Sequence, residues 1–282
     1  MKEQGKIEKL LSEITAALAP CPFVKGVVLG GSRATGTATD TSDVDIGVYY
    51  SRDTVDFDRL NEITQGLDDE RRANLICHEG EWGAWVNCGG WLVIDGVHVD
   101  LILRDIERVE RIVEQTEDGN ISPHYQTGHP HAYIDVMYRG ELASSRVLYA
   151  ADGGFVALKK CAEIYPPKLK RALIDFFSFE AGFSCMLAEA NADKGDAYYV
   201  TGHLFRSVSA LNQALFALNE KWCLNEKKAP LRIDSFARKP EDYSKRVNAV
   251  FHGIGESLMS SVHTLRGLCD EAAGLCAKGL NE

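Results

Sequence analysis

Two short stretches near the N-terminus combine residue types that could bind a phosphate tail and a divalent cation. Gly30 and Gly31 allow a ligand to approach the backbone closely, Ser32 supplies a hydroxyl, and amides at a following helix start can bind phosphate oxygens. Asp43 and Asp45 are two residues apart, so on a strand their side chains share one face. Because paired carboxylates repel each other without a cation, and because hard oxygen ligands suit Mg²⁺, these residues predict a metal site.

A third carboxylate, Asp100, lies in the apolar segment VHVDLIL, which we expect to be a strand ending near the same edge. Three carboxylates could hold two Mg²⁺ ions that orient an attacking hydroxyl and stabilise charge on a triphosphate during in-line displacement. Asp100 could also take the hydroxyl proton as a general base. Each half of this pattern alone also fits an ordinary turn or a solvated strand end, and the ordered combination favours the catalytic interpretation.

The elements that must position these residues can be predicted from apolar spacing. A helix carrying Ile7 to Leu18 ends before Pro20, and the strand FVKGVVLG then runs into the glycine pair. A second strand is expected over Val44 to Tyr50, and a helix between Asp53 and Asp69. The Asp95-Gly96 pair predicts a two-residue hairpin turn before VHVDLIL, followed by a helix and then the histidine-rich loop GNISPHYQTGHPHAY.

The second half of the chain is predicted to be helical, because long segments carry apolar residues three and four positions apart. The fold class expected is therefore α/β with a small mixed sheet, followed by an all-α bundle. We place the catalytic domain at residues 1–150 and the helical domain at 151–282, since Asp-Gly-Gly and Pro-Pro stand near this point.

Composition narrows the classes of function. Apolar residues make up 45% and charged residues 26%, which is typical of a folded globular protein. The formal net charge of -10 argues against binding of polymeric nucleic acid, which calls for a clustered basic excess. Eight scattered cysteines without a CxxC pair predict reduced thiols in the cytoplasm, and no signal peptide or membrane span is expected.

The motifs GGSRATG, SDVDIG and HVDLIL resemble those of the DNA polymerase β nucleotidyltransferase superfamily. Within it, the chain looks like the bacterial aminoglycoside and lincosamide nucleotidyltransferases, which pair this domain with a helical lobe. The motif similarity covers roughly residues 23–104. The resemblance implies that Gly31 and Ser32 hold the triphosphate, that Asp43, Asp45 and Asp100 bind metal, and that Arg33 and Ser42 support the loop or touch phosphate.

The resemblance further implies transfer of a nucleoside monophosphate, AMP from ATP, to a hydroxyl of a small acceptor such as one of these antibiotics. Glu180, an acid within the apolar run FFSFEAGF, and His129 in the histidine-rich loop are candidate acceptor contacts. Two alternatives stay open: a transferase that modifies proteins or RNA ends, and a catalytically silent nucleotide-binding module. The acceptor and the oligomeric state are not fixed by sequence.

Overall fold

The computed structural model describes residues 2–39 and 41–281. They form two compact units: Met1–Glu114 with Tyr138–Ile164, and Gln115–Met137 with Tyr165–Glu282. We call these the sheet unit and the helical unit.

The strands are β1 (Val24–Leu29), β2 (Val44–Tyr50), β3 (Cys88–Ile94), β4 (Val97–Asp105), β5 (Pro123–His124), β6 (Tyr133–Ile134) and β7 (Arg146–Ala150). The helices are α1 (Lys2–Leu18), α2 (Gly31–Ala34), α3 (Phe57–Leu67), α4 (Ile106–Glu117), α5 (Val136–Ser144), α6 (Gly153–Glu163), α7 (Pro167–Glu189), α8 (Ala197–Leu218), α9 (Ala229–Ile233), α10 (Tyr243–His252) and α11 (Leu258–Asn281).

The sheet unit is built on five strands in the order β3-β4-β2-β1-β7. Strands β2 and β4 run parallel, whereas the other neighbouring pairs are antiparallel. The predicted hairpin joins β3 and β4, and its turn residues Asp95 and Gly96 both have positive φ, as a two-residue turn of this kind requires. This mixed sheet and the helices that follow confirm the predicted fold class.

One face of the sheet forms the core with α1 and α3. Val44, Ile46 and Val48 alternate along β2 and are fully buried, together with Leu10 and Ile14 of α1. Burial of each such side chain contributes roughly 1.5–3 kcal/mol, which fixes which face of β2 points inward. The intervening residues of β2 and β4 must therefore point to the opposite face.

The helical unit is dominated by the long helices α7, α8 and α11, which pack against one another along mostly apolar faces. The two-residue strands β5 and β6 pair within the same unit. Among the described helices, none has a stretch of the length and apolar character needed to cross a membrane.

The predicted single boundary at residue 150 differs from this division. Strand β7 pairs with β1, and the Phe155 ring of α6 packs over Gly26 of β1, so the segment up to Ile164 groups with the sheet unit. Residues 115–137 group with the helical unit instead.

Candidate active site

Asp45 and Asp100 are register partners on the parallel strands β2 and β4. Both are half-buried, and both lie between fully buried core residues of their strands, so they share the face opposite the core. Neighbouring strands lie about 4.8 Å apart, which places the two carboxylate-bearing positions side by side.

Asp43 comes one residue before β2 and is exposed. Burial raises the pKa of Asp100, the Asp43 carboxylate adds to this rise, and His98 partly opposes it. The effect of Asp43 shows that these like charges act on each other. Such a pair favours either a bound proton or a bound cation.

The glycine pair is packed directly against Asp45. The Gly30 amide donates to the Asp45 carbonyl over 2.8 Å, and Gly31 has a φ of +58°, in the left-handed region that favours glycine. A Cβ at residue 31 would lie 1.7 Å from Asp45 Oδ2. Any residue other than glycine at position 31 would therefore force the Asp45 side chain out of its present rotamer.

Ser32, Arg33 and Ser42 lie in or beside the loop that joins the glycines to β2. The Arg33 guanidinium donates to the Ser42 carbonyl over 2.5 Å and to the Asp43 carbonyl over 3.2 Å. The Ser42 hydroxyl accepts from the Thr39 amide over 2.9 Å. Arg33 thus stabilises the backbone conformation of the segment that leads to Asp43. Phosphate contacts by Ser32, Arg33 and Ser42 stay a prediction.

The donor set fits a hard divalent cation in its chemistry, since it consists of carboxylates, and burial together with the Asp43 carboxylate raises the pKa of Asp100. As their side chains stand, no three histidine, cysteine or acidic residues among residues 2–39 and 41–281 are grouped closely enough to hold a metal ion. The Asp45 carboxylate is turned toward Gly31. The backbones of Asp45 and Asp100 are in register on adjacent strands, so their side chains start from neighbouring positions.

The two predicted acceptor contacts lie in the helical unit. Glu180 accepts from His131 Nε2 at 3.1 Å and pairs with Arg206 Nε at 2.6 Å, so it is not the uncompensated acid that the apolar sequence around it suggested. Burial acts to raise the pKa of Glu180, but His131 and Arg206 outweigh it and lower the pKa below its usual value. The carboxylate therefore stays charged at neutral pH.

His129 pairs with a different acid. Its Nδ1 lies 3.5 Å from Glu226 Oε2, and the other oxygen of Glu226 accepts from the His131 amide over 3.0 Å. The third histidine of the loop, His124, contacts Ser122. His124 and His131 thus hydrogen-bond to side chains, whereas the buried Nδ1 of His129 lies near Glu226 without making a hydrogen bond.

Sequence reasoning did not single out Trp91, which is the register partner of Asp100 on β3. Its ring stacks on Trp82, with centroids 4.6 Å apart and planes at 26°. A signal for the pairing was present, because a two-residue turn at Asp95-Gly96 fixes the register of the whole hairpin. The stack itself depends on a loop conformation that the sequence pattern does not specify.

Comparisons with known proteins concern the part of the chain that holds this site. Residues 7–121 match the family described as "Nucleotidyltransferase domain". This part of the chain is a nucleotidyltransferase domain of the polymerase β-like superfamily, and the enzyme class is nucleotidyltransferase.

Among solved structures, the chain is similar to a nucleotidyltransferase-like protein from Exiguobacterium sibiricum 255-15. The two are 12% identical, with 96% of this chain and 75% of that chain covered and a TM-score of 0.45. No curated protein matches the chain.

Proposed function

We propose that the protein transfers AMP from ATP to a hydroxyl of a small-molecule acceptor and releases pyrophosphate. The reaction would use two Mg²⁺ ions held by Asp43, Asp45 and Asp100. The acceptor class that we propose is an aminoglycoside or lincosamide antibiotic, following the resemblance of the motifs. We place the reaction in the cytoplasm, where cysteines without framework spacing stay reduced.

The observation that carries this proposal is the register of Asp45 with Asp100, with the Gly30-Gly31 turn packed on Asp45. A transferase of this type needs a phosphate-binding turn beside carboxylates on adjacent strands. A glycine turn and two aspartates on neighbouring strands would not be expected to lie next to one another by chance. Here they do so on the face of the sheet opposite the core.

On the triphosphate side, we propose that Gly31 and Ser32 contact the phosphates, with Arg33 and Ser42 holding the loop in place. The guanidinium of Arg33 is engaged with two carbonyls of this loop, which supports a positioning role. A rigid loop would keep the phosphate contacts aligned during the reaction.

In the chemical step, the acceptor hydroxyl oxygen forms a bond to the α-phosphorus, and the bond from that phosphorus to the bridging oxygen breaks. Pyrophosphate leaves with the bond electrons, and the hydroxyl proton passes to a base. Asp100 is the candidate for this role, since it lies in register with Asp45 on the strand next to it. Bound Mg²⁺ would neutralise charge on the triphosphate and orient the hydroxyl.

On the acceptor side, we propose Glu180 and His129 as contacts within the helical unit. A charged carboxylate can bind a cationic amine, and at Glu180 such an amine would join or replace the partners His131 and Arg206. Small antibiotics of the proposed classes carry such amines.

The direct test is incubation of the purified protein with ATP labelled at the α-phosphate, Mg²⁺ and a panel of aminoglycosides and lincosamides. The expected result is a labelled acceptor together with one equivalent of pyrophosphate. Asp43→Asn should abolish both products, whereas Asp58→Asn, a change at an exposed acid of α3, should not.

Other outcomes identify other functions. Label on the protein itself would indicate a protein-modifying transferase, and label on added RNA would indicate an RNA-end transferase. Binding of the triphosphate without any labelled product would indicate a silent module. An Asp43→Asn variant with unchanged turnover would contradict the proposed site.

A further inference from the structure

An exposed pair of stacked tryptophans lies next to the proposed catalytic carboxylates. Trp91 of β3 keeps 62% of its surface exposed, although one face of its ring is covered by Trp82. A large exposed aromatic side chain held in one orientation provides a flat surface on which a ligand ring can stack.

The sheet is shaped to hold this pair. Gly89 lies two residues before Trp91 and therefore on the same face of β3, and a Cβ there would come within 2.5 Å of the Trp82 ring. The glycine thus lets the Trp82 ring rest on the sheet. The Trp82 amide also donates to the Asn87 carbonyl over 3.0 Å, which anchors its loop.

Trp91 and Gly31 lie on opposite sides of the carboxylates. Trp91 is the register partner of Asp100, Asp100 is the register partner of Asp45, and Asp45 packs against Gly31. The order across this face of the sheet is therefore the glycine turn, Asp45, Asp100 and Trp91.

In-line displacement requires the attacking hydroxyl and the leaving pyrophosphate to stand on opposite sides of the α-phosphorus. If the glycine turn holds the pyrophosphate portion, the acceptor must approach from the side of Trp91. We propose that the Trp91 ring, backed by Trp82, is the stacking surface for the acceptor, a ring compound that bears amino groups. This inference rests on the proposed function.

The charges around the pair favour a cationic ring over a phosphate-bearing one. Asp100 is the register partner of Trp91, the Asp43 carboxylate acts electrostatically on Asp100, and Glu81 adjoins Trp82 in the chain. The guanidinium of Arg72 reaches the Trp91 carbonyl at 3.4 Å but is paired with Asp68 at 2.6 Å. An amino-substituted sugar ring could stack on the indole, and its ammonium groups would gain from both the ring face and the carboxylates.

The test uses kanamycin as the amino-sugar probe, with the full-length protein, Mg²⁺ and a non-hydrolysable ATP analogue. The expected result is a Kd for kanamycin that rises about tenfold in Trp91→Ala and returns to within about threefold of wild type in Trp91→Phe. The Kd of the ATP analogue, measured separately by calorimetry, should change less than about twofold in both variants.

Ile164→Ala is the matched control, because Ile164 is 64% exposed and belongs to the same unit. It should leave both Kd values unchanged. Thermal unfolding of each variant checks that the fold is retained, as expected for changes at exposed side chains.

The inference would be overturned by no kanamycin binding to the wild-type protein, by an unchanged kanamycin Kd in Trp91→Ala, or by a tenfold rise in the Kd of the ATP analogue in that variant. The last would place the nucleobase on Trp91 instead. Binding of a short single-stranded RNA in place of kanamycin would also overturn the amino-sugar assignment. Failure of the proposed function is separate, since it would appear as turnover unaffected by Asp43→Asn.

Discussion

The Asp45 carboxylate fills the space into which any side chain at residue 31 would project, with Oδ2 at 1.7 Å from the Cβ position of Gly31. The glycine of the turn and the second aspartate of the DVD motif are thus a matched pair. The segment between Gly31 and Asp45 must reverse the direction of the chain, so that β2 can place Asp45 beside the glycine turn.

Gly31→Ala is expected to lower transfer activity by on the order of 100-fold, because the new methyl group must displace the Asp45 carboxylate. Steady-state assays of labelled transfer measure this loss. Gly96→Ala is the control: Gly96 also has a positive φ, of +70°, but a Cβ there meets nothing within 4 Å. It should lower stability through backbone strain and leave the specific activity intact. Equal losses of activity in both variants would contradict the role of the Gly31 contact.

Asp68→Asn is expected to lower the free energy of unfolding by about 2 kcal/mol at neutral pH. Asp68 is buried, and the Arg72 guanidinium holds its pKa well below the usual range, assisted by the Val93 amide and against the effect of burial. Urea unfolding of the variant and the wild type measures the difference.

The sign of the pH dependence follows from that lowered pKa. The stabilisation is fully present above the unfolded-state pKa of about 4 and is lost as pH falls toward the lower folded-state value. The gap between wild type and Asp68→Asn should therefore narrow below about pH 4. Asp58→Asn, at an exposed position of α3, the helix that Asp68 follows, should show a small gap throughout.

Arg139→Met is expected to destabilise the protein by about 3 kcal/mol or more, because it removes a fully buried guanidinium that donates to several backbone carbonyls. The fully buried guanidinium donates to the carbonyls of Val113 at 3.0 Å, Cys161 at 2.7 Å and Ile164 at 2.8 Å. Arg146→Met removes only an exposed pair and should cost under about 1 kcal/mol. Similar unfolding midpoints for the two variants would refute this difference.

Glu180→Gln tests whether Glu180 binds the acceptor or has only a structural role. If Glu180 binds a cationic acceptor, KM for the acceptor should rise about tenfold while KM for ATP stays constant. Glu189→Gln is the control, since Glu189 lies on α7 with Glu180, pairs with Arg266 of α11 and is not a proposed contact. A change in stability alone would leave Glu180 as the partner of His131 and Arg206 only.

Local patterns predicted much of the sheet unit. The alternation in VDIGVYY set the bounds of β2, and the Asp95-Gly96 turn set the register of β3 with β4. Strand β7 was not predicted, because RVLYA is short and only partly buried, and it becomes a strand through its pairing with β1, more than a hundred residues earlier. Long-range pairing of this kind leaves little trace in a local pattern.

Some features of the candidate site could likewise be predicted from the sequence, and others could not. The glycines and aspartates could be predicted because their residue types and spacing limit what they can do. The partners of Glu180 could not, since His131 and Arg206 lie 49 and 26 residues away along the chain and meet it only through folding. The Trp82–Trp91 stack also depends on how a loop lies over Gly89.

The central claim, that Asp45 and Asp100 act together on a triphosphate, is tested most directly by the rate of Mg²⁺-dependent pyrophosphate release from ATP with the antibiotic panel present. We predict that Asp45→Asn and Asp100→Asn each lower this rate by at least about 1,000-fold, with an unfolding midpoint close to that of wild type. A rate within about twofold of wild type in either folded variant would contradict the assignment of these two residues to the reaction.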